Sequence, residues 1–292
     1  MVDTQKVIYE CPGSCGELFQ GMIDGKSLHV TCPIDKHSSA SAVSTTASDV
    51  LISPPLKKVS SAVADFMSIK KLSGGVQLNI SSELPIGKGM ASSTADIAAA
   101  LAAVSDQMGI YLTPKEIGAI AKKIEPTDGV FFDGVAVFDH CGGDLVEVVD
   151  LIPKIEILII DTGGQINSKD FDSGRIDYSK EELYGLEKSF EAVISGLKKE
   201  DPELIGQGAT SSAMINQRYL NKPLLKEAIE FSKRIGAYGI NIAHSGTVIG
   251  LLLEAGQTDR HIGSVKKIFP GLMIMKSKII SGGIKRSVYC AD

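Results

Sequence analysis

Two glycines and a lysine stand directly before a run of small hydroxyl residues in the stretch ELPIGKGMASSTADIAAALAAV, Glu83 to Val104. The preceding segment, GVQLNIS at 75 to 81, puts Val76, Leu78 and Ile80 on one face and predicts a strand. The following segment places Ile97, Leu101, Val104 and Met108 at helical spacing and predicts a helix that stops near Gly109. Strand, glycine loop, helix is an order that can hold an anion. The first turn of a helix carries unpaired N–H groups and a partial positive charge, and glycines let a ligand approach the backbone. Phosphate is the natural guest: Gly87 and Gly89 give access, Lys88 adds a cation, and Ser92, Ser93 and Thr94 bring hydroxyls that can cap the helix or meet a metal ion. A plain strand-to-helix turn with Ser92 as its N-cap would use the same residues.

Two common phosphate loops are excluded. A G-x-x-x-x-G-K-[ST] loop needs a hydroxyl residue after the lysine, and Lys88 is followed by Gly89. A G-x-G-x-x-G fingerprint needs a third glycine where Ser92 stands.

Further candidates lie elsewhere in the chain. TPKEIGAIAKKIE carries helix-start signals in Thr113, Pro114 and Glu116, and it ends in Glu125, where a negative charge is unfavourable unless a cation lies nearby. Asp128 follows before a turn, with Asp133 as a second carboxylate. His244 is a possible base or a structural histidine at a strand end, while His29, His37, His140 and His261 show no metal-ligand spacing and are assigned no chemistry. Of the five cysteines, Cys11, Cys15, Cys32, Cys141 and Cys290, none forms a C-x-x-C pair, and reduced thiols are expected. A redox or metal role for Cys11 and Cys15 is the alternative.

PIGKGMASSTA, Pro85 to Ala95, resembles the P-x-x-x-G-L-G-S-S-A phosphate loop of the GHMP small-molecule kinases, with Met90-Ala91 where Leu-Gly is usual. PGSCGE near the start and AHSGTVIG near the end fall where that family has its other motifs. CPGSCGELFQG, VTCPIDKHSS and EPTDG resemble one branch, the L-threonine kinases of cobalamin biosynthesis.

The resemblance implies an α+β, two-domain GHMP kinase fold, with an N-terminal half like ribosomal protein S5 domain 2 and a ferredoxin-like C-terminal α/β sandwich. It implies ATP and Mg²⁺ as cofactors and the side-chain hydroxyl of L-threonine as acceptor. It places ATP on Pro85, Gly87, Lys88, Gly89, Met90, Ala91, Ser92, Ser93 and Thr94, and Mg²⁺ on Ser92 and Glu125. Asp128 and Lys88 become the catalytic groups, and Ser14, Glu17, Ser245, Gly246 and Thr247 line the acceptor site, with Glu17 suited to an ammonium. Homoserine, a sugar or a mevalonate-type alcohol could be the acceptor on the same ATP machinery, and a non-catalytic ATP-binding protein could keep the same fold.

The elements that must position these residues fit a chain of 292 residues split into two domains, 1–152 and 153–292. KVIYE, SLHVTCPI and SASAVSTTA read as short strands separated by glycine-rich turns, and SPPLKK at 53 to 58 as a surface loop. Beyond 152, helical patterns alternate with strand-like runs. The net charge of −5 comes without a block of like charge, so no nucleic-acid partner is expected. The apolar runs are too short for a membrane span, and the N-terminus does not read as a secretory signal, so a cytoplasmic protein is expected.

Overall fold

The computed structural model describes residues 6–46, 49–164 and 176–289, and Cys290 lies outside them. Two long strands, β1 (Lys6–Ile23) and β2 (Lys26–Thr45), form one antiparallel hairpin. Asp24 and Gly25 close it with φ of 49° and 76°, the positive pair that a tight hairpin turn requires. The glycine-rich CPGSCGE does not reverse the chain, as the reading of short strands had it. It lies inside β1, where the pairing with β2 shifts register between Pro12 and Gly13 and between Ser14 and Glu17.

The rest of the first half follows as β3 (Val50–Ser53), α1 (Lys57–Ile69), β4 (Gly75–Ser82), α2 (Ser92–Gln107), α3 (Pro114–Ile124), β5 (Val135–Asp139) and β6 (Leu145–Val149). Helix α1 starts inside the expected SPPLKK loop, and its stripe of Val59, Ala62, Val63 and Phe66 is buried. Helix α2 is buried almost all round, and its alanines let it lie against β1, β2 and β4 with α1 and α3 beside it. Helix α3 opens with the expected capping box between Thr113 and Glu116.

The second half comprises β7 (Ile155–Asp161), α4 (Lys180–Lys199), α5 (Pro202–Asn216), α6 (Leu225–Ile235), β8 (Gly239–Ile242), β9 (Val248–Glu254), α7 (Thr258–Ile268), β10 (Met273–Lys278) and β11 (Lys285–Tyr289). Strand order across the molecule is β10-β7-β9-β8-β1-β2-β4-β3, so an α+β architecture of two halves shares one continuous path of strands. Strand β1 meets β8 through one residue pair, Glu17 opposite Ile242, and isolated bridges join Ile34 to Ile279 and Gly134 to Gly282. Strand β11 crosses back and pairs with β1 from Lys6 opposite Tyr289 to Glu10 opposite Lys285, so the chain beyond 152 contributes a strand to the first half. Among the described residues no helix is long and apolar enough to cross a membrane.

Candidate active site

The glycine loop runs from the end of β4 to the start of α2. Gly87 and Gly89 adopt φ of 74° and 76°, and Ala91 is the N-cap residue in the left-handed region at φ 54°, with no side-chain cap. Ser92 is therefore the first helical residue and not the cap, and the α2 N-terminus keeps N–H groups available to an outside acceptor. A non-glycine residue in that conformation costs about 1–2 kcal/mol. Surrounding bonds hold it: Ser14 N donates to Met90 O at 3.1 Å and Ala95 N to Ala91 O at 2.9 Å.

The AHSGT segment between β8 and β9 lies directly on the loop. Thr247 N donates to Lys88 O at 2.9 Å. A Cβ on Gly246 would sit 2.1 Å from Lys88 O and 2.2 Å from Gly89 Cα, so only glycine permits this approach. Lys88 does not project freely: its ammonium sits 2.7 Å from Asp161 Oδ2 and donates to Gly164 O at 2.5 Å. Thr247 Oγ1 donates to Asp161 Oδ1 at 2.6 Å. Burial would raise the Asp161 pKa, but hydrogen bonds from Lys88, Thr247 and Gly163 N outweigh it and hold the carboxyl below its ordinary value. Lys222, which the sequence did not single out, is buried and donates to the carbonyls of His244 at 2.9 Å and Gly246 at 2.6 Å. Burial brings its pKa down to about 8.

On the far side of α2, Thr94 Oγ1 accepts from Thr127 Oγ1 at 3.2 Å and is 3.5 Å from Asp128 N. Glu125 caps the C-terminus of α3 and is buried, with Lys58 Nζ of α1 donating to Oε2 at 2.6 Å. Lys58 is thus one cation that offsets the carboxylate at a helix C-terminus. Asp128 is half-buried; burial first, and the Glu125 charge second, push its pKa to about 7. The donor set of Ser92, Thr94, Glu125 and Asp128 is all oxygen, which suits Mg²⁺. Asp133 is exposed and covers Gly283.

Ser14 and Glu17 project from the irregular part of β1. Both are buried, and among the described residues Ser14 Oγ and Glu17 Oε2 have no hydrogen-bond partner. Burial and the nearby Asp128 charge raise the Glu17 pKa well above the ordinary value. Glu17 Oε1 is 4.0 Å from His29 Nδ1, and oxygen or nitrogen atoms of Glu17, His29 and Asp128 all lie within 4.8 Å of one another. His29 and His244 also line a cavity of about 430 Å³ whose walls include Gln20, Tyr178, Asn216 and Cys141. Asn216 holds that wall together: it donates to Gln20 O at 2.8 Å and accepts from Tyr178 OH at 2.6 Å. Ser245 is half-buried beside His244.

The structure therefore joins residues that are far apart in sequence. Glu17, Asp128 and the α2 N-terminus form one surface, and Gly246 and Thr247 close it from the second half. The three histidines His29, His140 and His244 come together as well, although linear spacing gave no sign of it. Cys11, Cys15 and Cys32 are buried and free, whereas Cys141 is exposed.

A glycine loop leading into an uncapped helix, with buried Glu125 and half-buried Asp128 near it, fits a small-molecule phosphotransferase of the two-domain kind. Comparison with known proteins agrees. Residues 56–143 match the GHMP kinases N terminal domain and residues 193–269 the GHMP kinases C terminal domain. The chain is 31% identical over 291 residues to an L-threonine kinase of Salmonella typhimurium, covering 95% of each chain. It is 30% identical over 255 residues to an L-threonine kinase of Citrobacter freundii, covering 86% of this chain and 88% of that one. The crystal structure of the Methanococcus jannaschii mevalonate kinase superposes with a TM-score of 0.75 at 16% identity, covering 94% of this chain and 98% of that one. The chain belongs to the GHMP kinases, enzymes that phosphorylate small alcohols.

Proposed function

We propose that this kinase transfers the γ-phosphoryl group of ATP to the side-chain hydroxyl of L-threonine, giving ADP and O-phospho-L-threonine, the source of the aminopropanol linker of cobalamin in the branch it resembles. The observation that carries the reading is the contact of Thr94, in the first turn of α2, with the Thr127-Asp128 segment, which sets a carboxylate beside the nucleotide loop. The similarity to two L-threonine kinases supports the choice of acceptor.

In this reading the backbone from Pro85 to Thr94 cradles the triphosphate, through N–H groups that the N-cap residue Ala91 leaves without a side-chain cap. Ser92 and Glu125 would hold Mg²⁺, which when bound would supply positive charge to the phosphates. Lys88, tied to Asp161, fixes the loop against the second half. Asp128, with a pKa near 7, orients the threonine hydroxyl and accepts its proton as the bond to phosphorus forms. Glu17 meets the substrate ammonium, whose positive charge returns the buried carboxyl to its ionised form. Ser14, Ser245, Gly246 and Thr247 form the remaining acceptor wall, where Thr247 acts chiefly through its bond to Asp161.

The test is ADP release with Mg-ATP against L-threonine, L-serine, L-homoserine, mevalonate and galactose, with products identified by mass spectrometry. Preferred formation of phosphothreonine is the expected result. Preference for another alcohol would keep the kinase and discard threonine, and tight ATP binding without turnover on any of the five would favour a non-catalytic protein.

A further inference from the structure

Three imidazoles from separate parts of the fold converge, two of them in the cavity wall. His29 comes from β2, His140 from the turn after β5, and His244 from the segment between β8 and β9. Their ring centroids are 4.3 Å, 4.7 Å and 5.0 Å apart, and one nitrogen of each lies within 4.8 Å of the others. Simple aromatic packing does not account for this choice of residues. Phenylalanine or leucine would fill the same space without burying basic nitrogens, and an unpartnered buried polar atom costs free energy. Among the described residues, the buried Nδ1 atoms of His29 and His140 have no hydrogen-bond partner.

The surroundings resemble the outer shell of a metal site. Ligating histidines characteristically bond their second nitrogen to an amide, carbonyl or carboxylate that fixes the tautomer. His244 Nδ1 is 2.8 Å from Gln20 Oε1, which leaves the lone pair of the neutral ring on Nε2. Gln20 is itself buried. Neither Glu17 nor Asp128 makes an ion pair with lysine or arginine among the described residues, although both approach His29. A dication at the imidazoles would supply the missing positive charge.

Donor type selects the ion. Three nitrogen donors suit a borderline ion such as Zn²⁺, whereas Mg²⁺ prefers oxygen and keeps its waters. Zn–N bonds of about 2.0–2.1 Å in a tetrahedron set the nitrogens roughly 3.3 Å apart, so the rings need to close by at most about 1.5 Å. We infer that His29, His140 and His244 form a binding site for a divalent transition-metal ion of the zinc class, separate from the oxygen donors at Ser92 and Glu125. Its fourth coordination position faces the cavity that His29 and His244 line. Three protein ligands with one open position is an arrangement that can take water or an amine or carboxylate of a small molecule. The inference stands on the histidines and does not require threonine to be the acceptor.

The experiment uses the full chain without an affinity tag, stripped with a chelator and carrying Cys141→Ser to remove the exposed thiol in the cavity wall. Co²⁺ is titrated while the visible absorption of tetrahedral cobalt is followed, and Zn²⁺ uptake is measured by elemental analysis with Mg-ATP in excess. The expected result is one equivalent of either ion per chain, with Mg²⁺ failing to displace it, and a Zn²⁺-dependent rise in Tm. His140→Gln, at a half-buried turn position, and His244→Gln should each weaken uptake at least tenfold while the metal-free proteins still unfold cooperatively. Absence of stoichiometric uptake by the parent protein would overturn the inference, as would uptake that both histidine variants leave unchanged. Because the readout is binding, a chain that takes up Zn²⁺ yet fails to phosphorylate threonine would retain this site and lose only the acceptor assignment.

Discussion

Replacing Lys88 separates two jobs that a lysine in a phosphate loop can do. Its side chain is 13% exposed and pairs at 2.7 Å with Asp161, which is 4% exposed. Removing one partner of a buried pair costs about 3–5 kcal/mol. Asp161 keeps the Thr247 hydroxyl and Gly163 N, so Lys88→Met should cost less, about 2–3 kcal/mol. With an unfolding entropy of about 2.1 cal/mol/K per residue, that lowers Tm by about 3–5 °C. Asp161→Asn leaves Lys88 bonded to Gly164 O and should cost about 1–2 kcal/mol, and the double variant should lose less than the sum. Since the Asp161 pKa is lowered on folding, the stabilisation is complete above the unfolded carboxyl pKa of about 3.9 and fades as pH falls through the folded value. Thermal unfolding at pH 7 and pH 3 measures this, and steady-state kinetics adds the functional half. If Lys88 works by anchoring the loop, Lys88→Met and Asp161→Asn raise KM for ATP alike. If it touches the phosphoryl group in the transition state, Lys88→Met lowers kcat and Asp161→Asn spares it. Additive single effects below about 0.5 kcal/mol would refute the anchoring argument.

Asp128→Asn should lower kcat by about 10²–10⁴ with little change in KM for ATP, and it should abolish the acidic limb of the kcat profile near pH 7. Because the folded pKa of Asp128 lies above the unfolded value, ionising it costs stability as pH rises from about 4 through 7, so the variant at pH 8 should unfold no earlier than the parent; equal loss of stability and turnover would mark a structural aspartate. Glu125→Gln and Ser92→Ala should both cut turnover, with Glu125→Gln also raising the Mg²⁺ needed for half-maximal rate. Lys58→Met, which removes the competing ammonium at 2.6 Å, should lower that Mg²⁺ requirement, and a Mg²⁺ titration of initial rates decides between the two directions. Gly246→Ala must move backbone that lies 2.1 Å from the new Cβ, so a rise of at least about tenfold in the ATP Kd is expected by calorimetry.

Local patterns exposed much of this fold, because they depend on neighbours in sequence. The alternation of Val76, Leu78 and Ile80 and the helical spacing from Ile97 to Met108 correspond to β4 and α2 within a residue or two. The capping box of Thr113 and Glu116 forms as its residues require. Features that depend on distant neighbours were hidden. Lys58 and Glu125 are 67 positions apart, and Lys222 meets a segment 22 residues further on only through the fold. The convergence of His29, His140 and His244 had no linear signal, since each lies on a different element. Helix α1 was obscured by the prolines just before it, although the spacing of Val59, Ala62, Val63 and Phe66 could have disclosed it.

PGSCGE shows why glycine was misleading and what it does instead. Glycine in a strand often signals a turn, yet it also marks places where another backbone comes too close for a side chain. A Cβ on Gly13 would lie 2.6 Å from Met90 O in the phosphate loop, and one on Gly16 would lie 2.3 Å from Ile242 O in β8. The bulges in β1 thus let one short segment, which carries Ser14 and Glu17, touch both the glycine loop and the second half. Glu17 also pairs with Ile242 of β8, one of several places where the two halves join in the sheet. Close backbone packing at Gly13 and Gly16 ties this part of β1 to the glycine loop on one side and to β8 on the other. Substitution at either glycine therefore acts on the packing of β1 against the loop and β8 before it acts on any chemical group.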